Sequence, residues 1–327
     1  MKLTTIETGS GRAAAAELRD GAILDLGRAR DALADAGIGT PGLAPLSPAL
    51  AAILACGELD EVRRLVDTVE DDRDRVRDPL VAAEALYDPG TARLCAPFPE
   101  PSLILSQGLS YRAHLAEMDN TPVPDEPTGF IKAASSIIGT GAPILLPPAS
   151  PDMVDFEGEF SIVIGRPCHD IEPSQAMDYV AGYTMINDVS ARDWVAPALD
   201  QSQSQMQAAL SWAVNLQGKQ FPTFTPMGPV MVTADEIPDP HDLRLTTRLN
   251  GEVMQDAQTG DLIFPIPRLI AHFSRWYRFR PGDVITTGTP AGVGWGRKPK
   301  LFMKDGDLIE ITVDAIGTLS NPVRAKA

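Results

Sequence analysis

One strand-like stretch, residues 155–165, constrains the fold of this chain more than any other segment. It reads DFEGEFSIVIG and alternates with the period of two that a β-strand imposes on its side chains. The alternation puts Phe156, Phe160, Ile162 and Ile164 on one face, and Glu157, Glu159, Ser161 and Val163 on the other. The stretch therefore predicts a strand with one apolar face and one acidic face.

The acidic face of this strand suggests a metal site. Glu157 and Glu159 lie two residues apart on it and repel each other unless a positive charge sits between them. A divalent cation would supply that charge, with Asp188 of the later run NDVSARD as a third ligand. Carboxylate oxygens without Cys or His suit Mg²⁺, Mn²⁺ or Ca²⁺ rather than Zn²⁺. The alternative is a strand with a solvated acidic face, the commoner arrangement in an acidic chain.

Composition narrows the class of protein and its partners. The 327 residues suffice for about two domains, and a net charge of −16 argues against binding nucleic acid or anionic membranes. Three widely spaced cysteines without a metal-binding spacing indicate reduced thiols. No apolar run reaches the roughly 18 residues that a membrane span needs, and the N-terminus lacks a signal-peptide pattern. We expect a soluble, cytoplasmic protein.

The chain divides at a proline-dense linker, CAPFPEP at residues 95–101. Residues 1–98 are predicted to form a small α/β domain of unknown role, and residues 99–327 a β-rich catalytic domain. Within the second domain, Asn250–Gly251 between two strand-like runs predicts a type I′ hairpin. The stretch 196–217 is rich in Gln, Ser and Ala and fits either a helix or an irregular insertion.

Two further features are candidates for a reactive site. A short helix over residues 111–118 would carry His114 and Glu117 on one face, next to a proline-rich loop, so that it could act as a lid. The alternative for His114 is a partly exposed surface imidazole. The loop GTPAGVG, residues 288–294, would let backbone N–H groups approach an anion, although many such loops are plain turns.

The order of the motifs beyond the linker resembles the fumarylacetoacetate hydrolase family over roughly residues 102–325. The resemblance is carried by GLSYRAHLAEM, FIKAASS, VDFEGEFSIVIG, VAGYTMINDVSARD, GKQFPTFTPMGP, LNGEVMQDAQTGDLIF and PGDVITTGTPAGVG. It implies an α+β, β-rich fold, a mixed β-sheet roll preceded by the small N-terminal domain. It also implies a homodimer and an Mg²⁺ (or Mn²⁺ or Ca²⁺) cofactor.

The resemblance assigns roles to ten residues. The metal ligands would be Glu157, Glu159 and Asp188, the catalytic residues His114, Glu117 and Lys219, and the substrate-binding residues Arg192, Thr289, Lys132 and Tyr111. His114 with Glu117 would activate water, and Lys219 would stabilise an oxyanion. Two segments depart from the family pattern, WVAP after SARD and KQFPTF in place of KSFDTF. Both lie beside the expected substrate, so they leave its identity open.

The implied activity is hydrolysis of a carbon–carbon bond in a ketonic substrate. The substrate would be a 2,4-diketo acid such as an acylpyruvate, fumarylpyruvate or fumarylacetoacetate, cleaved through a metal-bound enolate in aromatic or sugar-acid catabolism. An alternative within the family is an oxaloacetate decarboxylase or a keto–enol tautomerase or isomerase, which needs no activated water. A third alternative is a non-catalytic scaffold stabilised by the cation, which would leave the His–Glu pair and Lys219 without a role.

Overall fold

The computed structural model describes residues 1–38, 45–118, 122–194, 204, 206–207, 210–211 and 216–326. The stretch 196–217, for which a helix or an insertion was predicted, lies mostly outside these residues.

In its described residues, 1–38 and 45–98, the N-terminal region combines a four-stranded segment of sheet with four helices. Its elements are β1 Lys2–Thr8, β2 Gly11–Glu17, β3 Ile23–Asp25, α1 Leu26–Asp35, α2 Leu50–Cys56, α3 Leu59–Asp71, α4 Arg73–Ala82 and β4 Leu86–Tyr87. Helix α3 shows why these segments are helical: Val62, Leu65, Val66 and Val69 recur at helical spacing and are all buried.

The remaining elements build the predicted catalytic part. The strands are β5 Ile104–Gly108, β6 Thr128–Lys132, β7 Ile137–Ile138, β8 Ile144–Leu146, β9 Val154–Asp155, β10 Gly158–Ile164, β11 Val180–Asn187, β12 Ser190–Ala191, β13 Thr225–Thr233, β14 Arg244–Leu249, β15 Glu252–Gln258, β16 Val284–Thr286, β17 Leu308–Val313 and β18 Gly317–Ala325. The α-helices that lie wholly within the described residues of this part are α5 Arg112–Glu117 and α6 Ile266–Ser274.

Two large sheets organise these strands. The first has eleven strands in the order β4-β3-β2-β1-β13-β11-β10-β16-β5-β6, with β7 added beside β13, and the second has five in the order β15-β14-β17-β18-β8. β16 runs parallel to β5, whereas β10 is antiparallel to both β11 and β16, so the first sheet is mixed. The predicted α+β, β-rich fold class is confirmed.

The first sheet continues across the predicted boundary at residue 98. β1 pairs antiparallel with β13, with Lys2 opposite Val232 and Leu3 opposite Met231. The N-terminal helices bury their apolar faces against the same sheet, where Leu50 and Ile53 share a core with Val163 and Val284. The division into two domains stays a prediction, but the two parts share one sheet and one core.

Strand β10 lies in the middle of the first sheet with both faces covered. Phe160, Ile162 and Ile164 lie in the core between the two sheets, together with Leu245 and Ile311 of the second sheet. Val163 lies on the opposite face, in the core shared with the N-terminal helices. The predicted alternation is confirmed over residues 158–164. Phe156, predicted on the same face as Phe160, lies before the start of β10 and packs in a separate core cluster with Val154 and Val189, so that part of the prediction is wrong. Every residue of β10 is buried, and the alternative of a solvated acidic face is therefore wrong.

Candidate metal and acid–base site

The three predicted metal ligands meet at one edge of the first sheet. Because β10 and β11 are antiparallel, with Gly158 opposite Asn187, the start of β10 lies beside the end of β11. The Asp188 amide donates to the Glu157 carbonyl at 2.8 Å, which ties the two segments together. One carboxylate oxygen from each of Glu157, Glu159 and Asp188 lies within 4.8 Å of the other two, and all three side chains are buried.

Two buried lysines contact this acidic triad. Lys219 Nζ donates to Glu157 Oε2 at 2.7 Å, Asp188 Oδ2 at 2.6 Å and Ser190 Oγ at 2.8 Å. These three acceptors match the three hydrogens of an ammonium group. Lys132, which is completely buried, donates to Asp188 Oδ1 and to the Lys219 carbonyl at 2.9 Å. Sequence reasoning gave Lys132 a substrate-binding role, and the structure brings its ammonium to a predicted metal ligand.

Arg192 also lies against the acids, between Glu157 and a residue without a predicted role. Its guanidinium donates to Glu157 Oε1 at 2.6 Å and to Asp155 Oδ2 at 2.8 Å. Asp155 additionally accepts from the Gly294 and Trp295 amides at 2.8 and 3.0 Å, which ties the glycine-rich loop to the acidic segment. The sequence could have indicated that Asp155 belongs to the acidic face, because Asp155 lies two residues before Glu157, the same spacing that separates Glu157 from Glu159.

Glu159 differs from the other two acids. Among the described residues, Glu159 forms no ion pair and contacts no cationic side chain. Its Oε2 atom is buried and has no hydrogen-bond partner among those residues. Burial, followed by the charges of Asp188 and Glu157, raises the pKa of Glu159 well above its usual range. For Glu157, burial acts in the same direction, but Lys219 and Arg192 outweigh it and lower the pKa.

A divalent cation fits this arrangement. Among the described residues, four buried carboxylates face three buried cations, so that one negative charge is left over when all of them are ionised: Asp155, Glu157, Glu159 and Asp188 against Lys132, Lys219 and Arg192. A buried charge without a partner is costly, and Glu159 is the acid that lacks one. The three clustered donors are hard carboxylate oxygens, which select ions of the Mg²⁺, Mn²⁺ and Ca²⁺ class.

The predicted acid–base pair forms on α5. His114 Nδ1 lies 3.3 Å from Glu117 Oε2, and His114 is only 9 % exposed, so it is not a surface imidazole. The Gly292 amide lies 3.1 Å from each Glu117 carboxylate oxygen, which docks α5 on the glycine-rich loop. Burial opposes ionisation of Glu117, but the His114 and Gly292 hydrogen bonds outweigh it and lower its pKa.

The state of this pair fixes which His114 nitrogen can react. An ionised Glu117 accepts a hydrogen bond from Nδ1–H, which leaves the lone pair on Nε2. The glycine-rich loop joins this pair to the acidic segment, because Gly292 contacts Glu117 while Gly294 contacts Asp155.

The last two predicted substrate-binding residues use their hydroxyls inside the protein. Thr289 Oγ1 donates to the Gly158 carbonyl at 3.1 Å and accepts from Gln255 Nε2 at 2.7 Å. Gln255 Oε1 in turn accepts from the Gly158 amide at 3.0 Å, so Gln255 links the loop to β10. Sequence reasoning missed Gln255, although it lies within the motif LNGEVMQDAQTGDLIF, which helped to carry the family resemblance. Tyr111 is completely buried in the inter-sheet core, with its hydroxyl 3.4 Å from Thr287 Oγ1.

Comparisons with known proteins agree on the family. The profile of the fumarylacetoacetate (FAA) hydrolase C-terminal family matches residues 103–324. The mitochondrial oxaloacetate tautomerase fahd2 of Xenopus laevis is 44% identical over 230 residues, which are 70% of this chain and 68% of that protein. The chain therefore belongs to the fumarylacetoacetate hydrolase family.

Solved structures of enzymes share the whole fold. A 5-carboxymethyl-2-hydroxymuconate delta-isomerase from Mycobacterium smegmatis aligns with a TM-score of 0.68 at 32% identity, covering 100% of both chains. A maleylpyruvate hydrolase from Sphingobium sp. SYK-6, in complex with manganese (II) ion and pyruvate, has a TM-score of 0.68 at 25% identity and the same coverage. The family is thus one of enzymes, with both isomerases and hydrolases among the relatives.

Within the described residues, none of the helices combines the length and apolar character required to cross a membrane.

Proposed function

We propose that this protein is a metal-dependent keto–enol tautomerase acting on a small 2-oxo dicarboxylic acid, with oxaloacetate as the first substrate to test. Its similarity to an oxaloacetate tautomerase at 44% identity supports this choice over the C–C hydrolase expected first from the sequence.

The observation that carries the proposal is the hydrogen bonding of Lys219. Hydrolysis of a diketo acid requires a donor that stabilises the oxyanion formed when water attacks the distant carbonyl. Lys219 was expected to be that donor, but its ammonium hydrogens are directed at Glu157, Asp188 and Ser190. Tautomerisation needs no second oxyanion donor, only proton transfer beside a polarised carbonyl. The arrangement therefore supports proton transfer without cleavage.

Glu157, Glu159 and Asp188 would hold the divalent cation. When bound, the ion would polarise the 2-oxo group and so acidify the adjacent carbon. His114 Nε2 would take the proton from C3 of the keto form and then give that proton to the 2-oxo oxygen, which completes the enol and restores the neutral imidazole. In the reverse direction, protonated His114 returns the proton to C3. Glu117 keeps the imidazole oriented and stabilises its charged form.

Charge in the site supports an anionic substrate. The buried carboxylates exceed the buried cations by one, so a divalent ion leaves the site with one net positive charge. In an otherwise acidic protein, that charge would attract the carboxylate of a 2-oxo acid. The glycine-rich loop around Thr289 is proposed to line the substrate side, whereas Tyr111, completely buried in the inter-sheet core, is not exposed to bind substrate directly.

Hydrolysis of an acylpyruvate is the second candidate. It is favoured by the His114–Glu117 pair, which is also suited to deprotonating water, and by the similarity to a maleylpyruvate hydrolase. In that reaction His114 Nε2 would take the water proton, and Lys219 would have to leave one of its acceptors to meet the oxyanion.

One assay separates the two candidates. The enol form of oxaloacetate is mixed with metal-loaded protein, and the loss of enol absorbance is followed in a stopped-flow instrument. In parallel, maleylpyruvate and a panel of acylpyruvates are assayed for release of pyruvate. Tautomerisation predicts fast loss of the enol with oxaloacetate retained, and pyruvate release at background rate. Cleavage of an acylpyruvate together with an uncatalysed enol decay would replace the proposal by the second candidate.

We expect Mg²⁺ or Mn²⁺ as the working ion, because the three clustered donors are carboxylate oxygens. A cytoplasmic location and a homodimer remain expectations from the sequence and the family resemblance.

A further inference from the structure

Three buried hydroxyl groups lie side by side in the first sheet, two residues along the strand from Glu159. Ser161 of β10 is opposite Thr286 of β16, and Thr286 is opposite Ser106 of β5. Partners in a sheet ladder place their side chains on the same face, so the three hydroxyls stand side by side on adjacent strands. We call Ser106, Ser161 and Thr286 the hydroxyl row.

The hydroxyl row separates the polar site from an apolar core on the same face of the sheet. Two residues further along the three strands, away from the site, lie Ile104, Val163 and Val284, which are opposite one another and belong to the core shared with the N-terminal helices. In the other direction, toward the site, the residue two positions from the hydroxyl row is Glu159 on β10 and Gly108 at the end of β5. The corresponding residue after β16 is Gly288, two positions beyond Thr286. Glu159 therefore has glycines as its neighbours on these strands, and the hydroxyl row lies between Glu159 and the apolar core.

None of the three hydroxyls has a hydrogen-bond partner among the described residues, and all three residues are completely inaccessible to solvent. A buried hydroxyl without a partner is uncommon, and three in a row next to another unpartnered oxygen, Glu159 Oε2, are rarer still.

The neighbouring strand provides a contrast. Thr184 of β11 is opposite Ser161 on its other side and is equally buried, but its hydroxyl donates to the Val230 carbonyl at 2.9 Å. The backbone of this sheet can therefore satisfy a buried hydroxyl, as it does for Thr184 but not for the hydroxyl row.

We infer that the hydroxyl row holds ordered water against Glu159 and so makes Ser106, Ser161 and Thr286 positioning residues of the metal centre. Buried water typically makes about three hydrogen bonds to polar groups that would otherwise lack a partner. Water held in this way would hydrogen-bond to Glu159 and fix its orientation toward the ion. The inference rests on the metal centre of the proposed function.

The test measures binding of Mn²⁺ to the full-length, metal-stripped protein by titration calorimetry, together with urea unfolding of the metal-free form. Ser161→Ala and Thr286→Val should each weaken Mn²⁺ binding about ten-fold or more, the usual effect of removing groups that orient metal ligands. Thr286→Ser keeps the hydroxyl and should retain Mn²⁺ affinity within about two-fold. The matched control, Thr184→Val, should lower the urea midpoint but leave Mn²⁺ affinity unchanged.

Three results would overturn the inference, two from the binding measurements and one from crystallography. The first is unchanged Mn²⁺ affinity in both Ser161→Ala and Thr286→Val, and the second is an equal loss of affinity in Thr184→Val. A high-resolution crystal structure without density for water beside the hydroxyl row would also contradict it. The outcome is independent of catalysis: a wild type that binds Mn²⁺ but does not tautomerise oxaloacetate would refute the proposed function alone.

Discussion

Replacing Glu159 by Gln should have opposite consequences in the metal-free and metal-bound protein. Glu159 is the member of the triad without an ion pair in the described chain, and burial beside Asp188 and Glu157 disfavours its charge. Gln is of similar shape and neutral, so the metal-free variant should be as stable as the wild type or slightly more so. The expected difference is within about 1 kcal/mol, because no buried partner is left unpaired.

The metal-bound forms should differ much more. At a free Mn²⁺ concentration of about 100 times the wild-type Kd, binding stabilises the wild type by roughly 2.7 kcal/mol. If losing one carboxylate ligand weakens binding about 100-fold, the same Mn²⁺ concentration stabilises the variant by only ~0.4 kcal/mol. At about 2–4 °C per kcal/mol, the Tm gain on adding Mn²⁺ falls from roughly 5–10 °C to about 1 °C.

Asp155→Asn is the matched control. Asp155 is equally buried and acidic but contacts Arg192 and the amides of Gly294 and Trp295 rather than the triad. Removing one partner of a buried ion pair costs about 3–5 kcal/mol. This variant should therefore lose stability with and without metal.

The assay is differential scanning fluorimetry on chelator-treated protein, repeated over a Mn²⁺ titration. A metal-free Glu159→Gln protein that melts several degrees below the wild type would show that Glu159 is held by protein contacts. A variant that keeps the full wild-type Tm gain on adding Mn²⁺ would show that Glu159 is not needed to bind the ion. Either result would refute the assignment of Glu159 as a ligand that needs the cation.

The remaining predictions concern the acid–base pair and the core. His114→Ala should lower turnover by ~10²–10⁴-fold while Mn²⁺ affinity stays near wild type, measured by steady-state kinetics and calorimetry; turnover equal to wild type would remove His114 from the mechanism. Glu117→Gln should reduce kcat less than His114→Ala, since the imidazole stays but is less well oriented, and an unchanged kcat would count against the pair. Burial, then the charge of Asp239, raises the pKa of Tyr183 to about 12. The folded state thus keeps a proton that the unfolded state loses above about pH 10, and stability should fall between pH 10 and 12. Urea unfolding over this range should show a smaller decline for Tyr183→Phe, and an identical decline would exclude Tyr183 as the cause.

The sequence predicted the parts of the fold that depend on local pattern. The alternation in β10 was sufficient to assign its two faces, because side-chain direction in a strand follows from position alone. Asn250 and Gly251 have φ of 52° and 81°, the positive values that a type I′ hairpin requires. Both features are decided by neighbours within a few residues.

Pairings between distant segments were not predictable in this way. β1 pairs with β13 from the other part of the chain, and no local signal indicates which edge an N-terminal strand will join. The linker suggested a separate domain, but a composition change does not reveal a shared sheet.

The sequence predicted which residues belong to the site better than it predicted which of them contact one another. The two-residue spacing and the family resemblance identified Glu157, Glu159 and Asp188, and the structure brings them together. That Lys219 and Arg192 would contact these acids depends on the folded arrangement of loops from several parts of the chain. The same holds for Gln255, whose amide links β10 to the glycine-rich loop.

The most direct test of the proposed function follows enol-oxaloacetate absorbance after mixing with wild-type protein, with and without Mg²⁺, beside the His114→Ala variant. We predict rapid decay with the metal-loaded wild type, decay near the buffer rate for the chelated protein and for His114→Ala, and no pyruvate released from acylpyruvates. Decay at the buffer rate with the metal-loaded wild type, accompanied by acylpyruvate cleavage, would contradict the tautomerase assignment.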